Sequence, residues 1–431
     1  MRLTANDIMK AGRARMPVGQ PSTQIDGVCV DSREVPEGSL FVGLRGETTD
    51  GGQYAIDALR NGAAAAVVGE SSWMWIQGEA QALGKPVIVA DDPLAVLQAA
   101  GRLALERVGA RVIAITGSTG KTTTKDILLG MLRSAGVHAE GTRGNQNTEV
   151  GVPMSLLSLS EDTEVAVIEM GMRGSRQIAE LARLAPPDVG CVTTIAPVHL
   201  ELLGTMENVA AAKAEVIAAL TSGGVAVVPE NEPLLEPHLE ALADGVEVRR
   251  FGSRPDLELD IDLPIAWQRV NAAAALECCR ALGYEPAAGA RVEFRLSALR
   301  GQERPMAGGG TLIEDCYNAN PLAMEAALRD LAGRPPRRVA VLADMMELGP
   351  DEERYHREVG RLAVELGIDA VIGVGERARW YVAELNGLAT MHFADVDAAI
   401  AGIAEHLDVG DTVLLKGSRA MELERLGAIL G

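Results

Sequence analysis

The stretch Ile115-Thr-Gly-Ser-Thr-Gly-Lys-Thr-Thr-Thr124 decides how this chain folds. It is entered from an apolar run at 112–116 that predicts a strand, and it leads into a predicted helix over 122–135. A glycine-rich turn in that position lets backbone N–H groups approach an anion closely, and the helix N-terminus adds partial positive charge. Lys121 supplies a point charge, and the Thr122 hydroxyl is an oxygen ligand suited to Mg²⁺. Gly117, Ser118, Thr119, Gly120, Lys121, Thr122 and Thr123 therefore form a candidate nucleotide phosphate cradle. The loop departs from the common G-x-x-x-x-G-K-[ST] form, because Ile115 and Thr116 stand where its first glycine would lie. A glycine-rich turn with a solvated lysine is the competing reading.

Outward from this loop, strands at 165–168 and 189–194 alternate with helices, the pattern of a parallel sheet covered on both faces. Ahead of it, 38–46, 63–69 and 86–90 read as strands and 54–62 as a helix, while Asp91-Asp-Pro93 starts a helix running to about 108. After 301 a second series begins, with strands at 312–315, 338–343, 370–374 and 412–415 and helices at 321–331, 353–366, 377–386 and 419–429. That is a doubly wound unit of Rossmann type. The expected architecture is α/β in three domains: a small N-terminal αβ domain over 1–92, a central P-loop-type parallel-sheet domain over 93–300, and a C-terminal Rossmann-like domain over 301–431. A length of 431 residues agrees, at roughly 100–200 residues per domain.

A formal charge of −20 argues against nucleic acid as a partner, since that needs a cationic face to displace counterions. Any polyphosphate must instead be held by local Lys, Arg, N–H groups and cations. Five cysteines without a CxxC pair, mostly inside apolar runs, read as reduced core thiols. With no basic-then-apolar leader and no apolar stretch of ~18 residues, the expectation is a cytoplasmic protein without membrane insertion; separately, a monomer is expected.

Glu169 ends the predicted strand at 165–168, where a carboxylate beside a phosphate loop can serve Mg²⁺ or lie on the surface. His199 follows another strand end, and Lys213 lies in a predicted helix; by spacing alone both read as ordinary packed or solvated side chains.

Taken together, these residues resemble the Mur ligase family over essentially the whole chain. Its Thr-Gly-x-x-Gly-Lys-Thr-Thr signature is matched by residues 116–123, which accounts for the unusual loop. The branch that adds D-alanyl-D-alanine is resembled most, through Gly144-Asn-Gln-Asn-Thr-Glu-Val-Gly-Val-Pro153, Asp315-Cys-Tyr-Asn-Ala-Asn-Pro321, Asp344-Met-Met-Glu-Leu-Gly349 with His356, and Lys416-Gly-Ser-Arg419. The resemblance implies that Lys121 contacts the β/γ-phosphates of ATP, that Thr122 and Glu169 serve one Mg²⁺, and that His199 with a carbamylated Lys213 serves a second. It further implies Asn271 and Asp315 toward adenosine and Arg300 near the phosphates. It places Ser32, Arg33 and Arg45 at a uridine-nucleotide site, and Asn145, Asn147, Glu149, Asn318 and Asn320 toward the peptide substrates. Three positions depart from the family pattern. Trp267-Gln-Arg-Val-Asn271 keeps only the last Asn of His-Asn-x-x-Asn, Leu299 replaces a frequent Gly before Arg300, and Gly52 replaces a usual His; the segment 256–266 also looks shortened.

The implied reaction is ATP-dependent addition of D-alanyl-D-alanine to UDP-N-acetylmuramoyl-tripeptide through an acyl phosphate, with Lys121, His199, Lys213 and Arg300 catalytic. Competing expectations are a diamino-acid-adding or folylpolyglutamate-type ligase, and a nucleotide-binding switch that does not ligate.

Overall fold

The strand Arg111–Thr116 lies inside a six-stranded, wholly parallel sheet, ordered Glu247–Phe251, Val225–Pro229, Val189–Val192, Arg111–Thr116, Val165–Glu169, Ala139–Gly141. This computed structural model describes residues 3–252, 259–263, 265–335, 337–385 and 388–431. Strands 165–169 and 189–192 are buried at every position, as expected where helices cover both faces. Lys121–Ser134 and Ala266–Ala281 cover one face and Gln177–Leu184 and Met206–Ala218 the other, giving two separate apolar layers.

The N-terminal sheet runs Arg15–Val18, Val87–Ala90, Ala65–Gly69, Ser39–Val42, Gly27–Cys29, with only the first strand antiparallel to its neighbour. Pro93–Val108 starts where Asp92 caps it, accepting from Leu94 N at 2.9 Å. It buries Val96, Leu97 and Ala100 against the N-terminal sheet. Its other side meets the helix Gly151–Leu157 so closely that a Cβ on Gly101 would lie 2.7 Å from Pro153 Cα. The helix thus ties the first two layers together.

The C-terminal sheet runs Gln302–Pro305, Thr311–Glu314, Thr412–Lys416, Arg338–Ala343, Ala370–Val374, Ala389–Phe393, parallel except for the first strand. The three-layered α/β architecture is therefore the expected one, with local differences. The helix expected over 377–386 is helical only at Arg379–Val382, and residue 386 lies outside the described residues. The closing helix is divided into Arg419–Met421 and Glu424–Leu430, because Glu422 between them has φ +51 and cannot continue a right-handed helix. The strand expected over 189–194 ends at Val192, where Thr193 and Thr194 turn toward the phosphate loop. Gln302–Pro305 gave no strand signal, being a charged edge strand without apolar alternation. Of the segment that looks shortened, residues 256–258 and 264 lie outside the described residues.

Candidate functional site

Parallel strands end together at their C-terminal edges, and ligands of such sheets bind in the crevice there. In register, Glu169 pairs with Ile115 and Val192 with Thr116, so the phosphate loop, Glu169 and the 193–199 segment emerge side by side. The loop needs its glycines. Gly117 has φ +147 and an added Cβ would stand 1.9 Å from Thr193 Oγ1; Gly120 has φ +81, with its Cβ position 2.4 Å from Asn271 Oδ1. Thr194 fastens the loop from the neighbouring strand, as Ser118 N donates to Thr194 O and Thr119 N to Thr194 Oγ1, both at 2.9 Å. Ser118 Oγ donates to Ala196 O at 3.0 Å. These fasteners were not foreseen, since a Thr-Thr pair after a strand has no distinctive spacing.

Lys121 Nζ donates to Gly117 O at 2.8 Å, across the loop it belongs to. Burial lowers its pKa, Arg300 adds to the effect and Glu169 opposes it. Thr122 Oγ1 donates to Glu169 Oε2 at 2.9 Å, and Asn147 Nδ2 donates to Glu169 Oε1 at 2.7 Å. Arg300 Nη2 reaches Thr122 Oγ1 at 3.4 Å while its guanidinium lies 3.9 Å over the Tyr317 ring. Burial raises the Tyr317 pKa.

Lys213 corrects the solvated reading that spacing suggested: it is only 2% exposed, on the inner face of Met206–Ala218. Burial, reinforced by Lys121, pushes its pKa well below 10.5. No hydrogen bond or ion pair engages its amine among the described residues, where a buried lysine normally has a partner. His199 Nδ1 is hydrogen-bonded to Glu347 of the C-terminal domain; burial lowers the His199 pKa against the opposing pull of that carboxylate.

A cavity of about 1410 Å³ joins these groups, lined by the central and C-terminal layers and by Gln98 of the helix Pro93–Val108. It contains Ser118 to Thr123, Asn147, Glu149, Glu169, His199, Lys213, Asn271 and Arg300, with Asp315, Asn318 and Asn320 opposite. Asp315 is neutralised by the buried Lys416, whose Nζ donates to its Oδ2 at 2.7 Å and to Asn318 O at 3.3 Å. Asn320 Oδ1 caps Pro321–Ala332 by accepting from Ala323 N. Asn145 does not line the cavity, though it bonds to Tyr317, which does. Ser32, Arg33 and Arg45 are not brought to the cavity: Arg33 is exposed and paired with Asp31 at 2.6 Å, and Arg45 forms a bridge with Asp50.

The departures from the family pattern now have physical settings. Leu299 has φ +62, a conformation that glycine adopts without strain. Gly52 is buried, and a Cβ there would lie 2.5 Å from Ser72 Oγ, so His could not replace it without repacking. Gln268 is buried and its Oε1 accepts from Ile265 N at 3.3 Å, starting the helix that holds Asn271 against Gly120.

A parallel-sheet phosphate loop facing a Rossmann-like domain across a shared cavity defines a nucleotide-dependent enzyme assembled from several domains. Three family models match along the chain: the Mur ligase family catalytic domain over 24–112, the Mur ligase middle domain over 115–263, and the Mur ligase glutamate ligase domain over 299–419. The chain is 32% identical to the UDP-N-acetylmuramoyl-tripeptide–D-alanyl-D-alanine ligase of Bacillus subtilis, covering 94% of this chain and 93% of the relative. It is also 32% identical to the enzyme of the same name from Escherichia coli, with 93% of each covered. The crystal structure of MurF from Acinetobacter baumannii superposes with a TM-score of 0.84 at 27% identity, covering 99% of this chain and 98% of that one. The protein belongs to the Mur ligase family, whose members are ATP-dependent amide ligases.

Proposed function

We propose that this protein adds D-alanyl-D-alanine to UDP-N-acetylmuramoyl-tripeptide at the expense of ATP, in the cytoplasmic stage of peptidoglycan synthesis. The observation that carries this reading is full-length similarity to ligases of that name, at 32% identity and without loss of a domain. In this reading 1–92 binds the uridine nucleotide, 93–300 binds ATP and 301–431 receives the dipeptide. The peptide carboxylate takes the γ-phosphoryl group of ATP, releasing ADP. The dipeptide amine then attacks the acyl phosphate, forming the amide as phosphate leaves.

The residues fit the parts of such a reaction. Lys121 and Arg300 supply positive charge where the phosphoryl group transfers, and their fixed contacts to the loop and to Thr122 preorganise that charge. Thr122 and Glu169 offer hard oxygens for one Mg²⁺, and His199 with Lys213 would serve a second. An amine with no hydrogen bond or ion pair among the described residues, kept toward its neutral form by burial, is the form that reacts with CO₂, so Lys213 suits carbamylation and would then present oxygen ligands. When bound, the ions neutralise charge on the phosphates. Tyr317 holds the Arg300 guanidinium by stacking, Asn147 orients Glu169, and Lys416 holds Asp315. No helix among the described residues is long and apolar enough to cross a membrane.

The test is phosphate release from ATP with UDP-N-acetylmuramoyl-tripeptide and a panel of amines. D-Alanyl-D-alanine should support turnover, whereas diaminopimelate, lysine and glutamate should not. Turnover with one of those instead would assign a different ligase, and ATP binding without amine-dependent release would assign a switch.

A further inference from the structure

His199 and Glu347 meet across the boundary between the central and C-terminal domains. His199 immediately precedes Leu200–Leu203 with φ +54, and Glu347, after the strand Arg338–Ala343, has φ +64. The left-handed region is unfavourable for a non-glycine residue, so each residue is held there by its surroundings. Their side chains are joined, His199 Nδ1 to Glu347 Oε2, and the second carboxylate oxygen accepts from Arg173 Nη2 at 2.5 Å. The backbones touch as well: a Cβ added to Gly349 would lie 3.3 Å from Glu201 N.

This contact has a chemical consequence for a ring that lines the cavity. When a carboxylate accepts from one ring nitrogen, the proton is fixed there and the other nitrogen keeps its lone pair. Metal-ligating imidazoles commonly have such a carboxylate behind them, which fixes both tautomer and ring direction. Here the carboxylate comes from a different domain than the histidine.

We infer that Glu347 is a positioning residue that fixes the ring of His199 for a divalent cation, so that docking of the C-terminal domain completes the cation site. The inference rests on the reading of His199 as a cation ligand. Arg173 holds the carboxylate from the central-domain side and so steadies the same contact.

The test uses the full chain with Mn²⁺ as the probe and a non-hydrolysable ATP analogue present. Mn²⁺ binding is read by electron paramagnetic resonance, and the His199 ring tautomer by ¹⁵N NMR. In the parent protein the Nδ1–H tautomer should dominate. Glu347→Ala should lose that preference and weaken the more weakly held Mn²⁺ by ~10–100-fold, the usual effect of losing such an outer carboxylate. Glu347→Gln keeps an acceptor of the same shape and should retain the tautomer, with a loss under ~10-fold; its near-native shape keeps the test readable if the alanine variant folds poorly. The inference fails if Glu347→Ala leaves tautomer and Mn²⁺ affinity unchanged while His199→Ala weakens Mn²⁺, a result that would spare the site reading. If His199→Ala itself leaves Mn²⁺ binding unchanged, the site reading fails and the inference falls with it.

Discussion

Replacing Lys213 with methionine should make the protein more stable and inactive. The side chain is 2% exposed, has no hydrogen bond or ion pair among the described residues, and feels Lys121 as a like charge. A buried polar group without a partner costs ~1–3 kcal/mol, and more when charged. Methionine follows nearly the same path with no donor to satisfy and no charge to set beside Lys121, so Lys213→Met should gain about 1 kcal/mol in bicarbonate-free buffer, the low end of that range because the amine borders the cavity. For a domain of this size each kcal/mol corresponds to a Tm rise of roughly 2–4 °C. The pH dependence has a definite sign. Because the folded-state pKa lies below 10.5, the unfolded chain binds the extra proton between the two values, and wild-type stability rises with pH across that window. The advantage of Lys213→Met should therefore be largest on the acid side and shrink as pH approaches 10.5. Calorimetry across pH reads the stability, and phosphate release with and without bicarbonate reads the ligation. Bicarbonate should raise wild-type activity and leave Lys213→Met inactive, as it should Lys213→Arg, which keeps a cation where an anion is required. A Tm below wild type at neutral pH, or substantial ligation by either variant, would refute the reasoning.

Lys121→Ala removes the charge nearest the transferring phosphate and should lower kcat at least ~100-fold in the phosphate-release assay, with the fold intact by circular dichroism. Asp126→Ala leaves the buried Lys125 without its partner at 2.6 Å and Ser297 N and Oγ without their acceptor, and urea unfolding should report a loss of ~3–5 kcal/mol; adding Lys125→Met should recover only the part due to the unpaired lysine. Gly117→Ala drives a Cβ toward Thr193 Oγ1 at φ +147, so thermal unfolding should show at least ~1–3 kcal/mol of destabilisation together with weakened ATP binding.

The phosphate loop was legible because its chemistry is local. The glycines, Lys121 and Thr122 sit within six residues, and the flanking periodicities announce a strand and a helix. The long parallel strands were legible for a related reason, since burial on both faces writes an uninterrupted apolar run into 165–168 and 339–343. Elements whose stability comes from neighbours were not: the charged edge strand Gln302–Pro305 exists through pairing with Thr311–Glu314, and the break at Glu422 depends on a backbone angle that composition does not encode.

By itself, then, the sequence determined the loop, the alternation that makes three α/β layers, and the family resemblance that pointed to Lys213 and His199. The tertiary structure decided what those two residues experience. Lys213 is one lysine in an alanine-rich helix until folding turns it inward to the wall of the cavity, with no hydrogen bond or ion pair among the described residues. His199 acquires its partner only when Glu347, 148 residues away along the chain, is delivered by another domain. Arg300 likewise reaches Thr122 across 178 residues, stacked on a tyrosine of the C-terminal domain. Short-range sterics and periodicity are properties of neighbouring residues and can be read in order, whereas desolvation and electrostatic pairing depend on which distant surfaces come together.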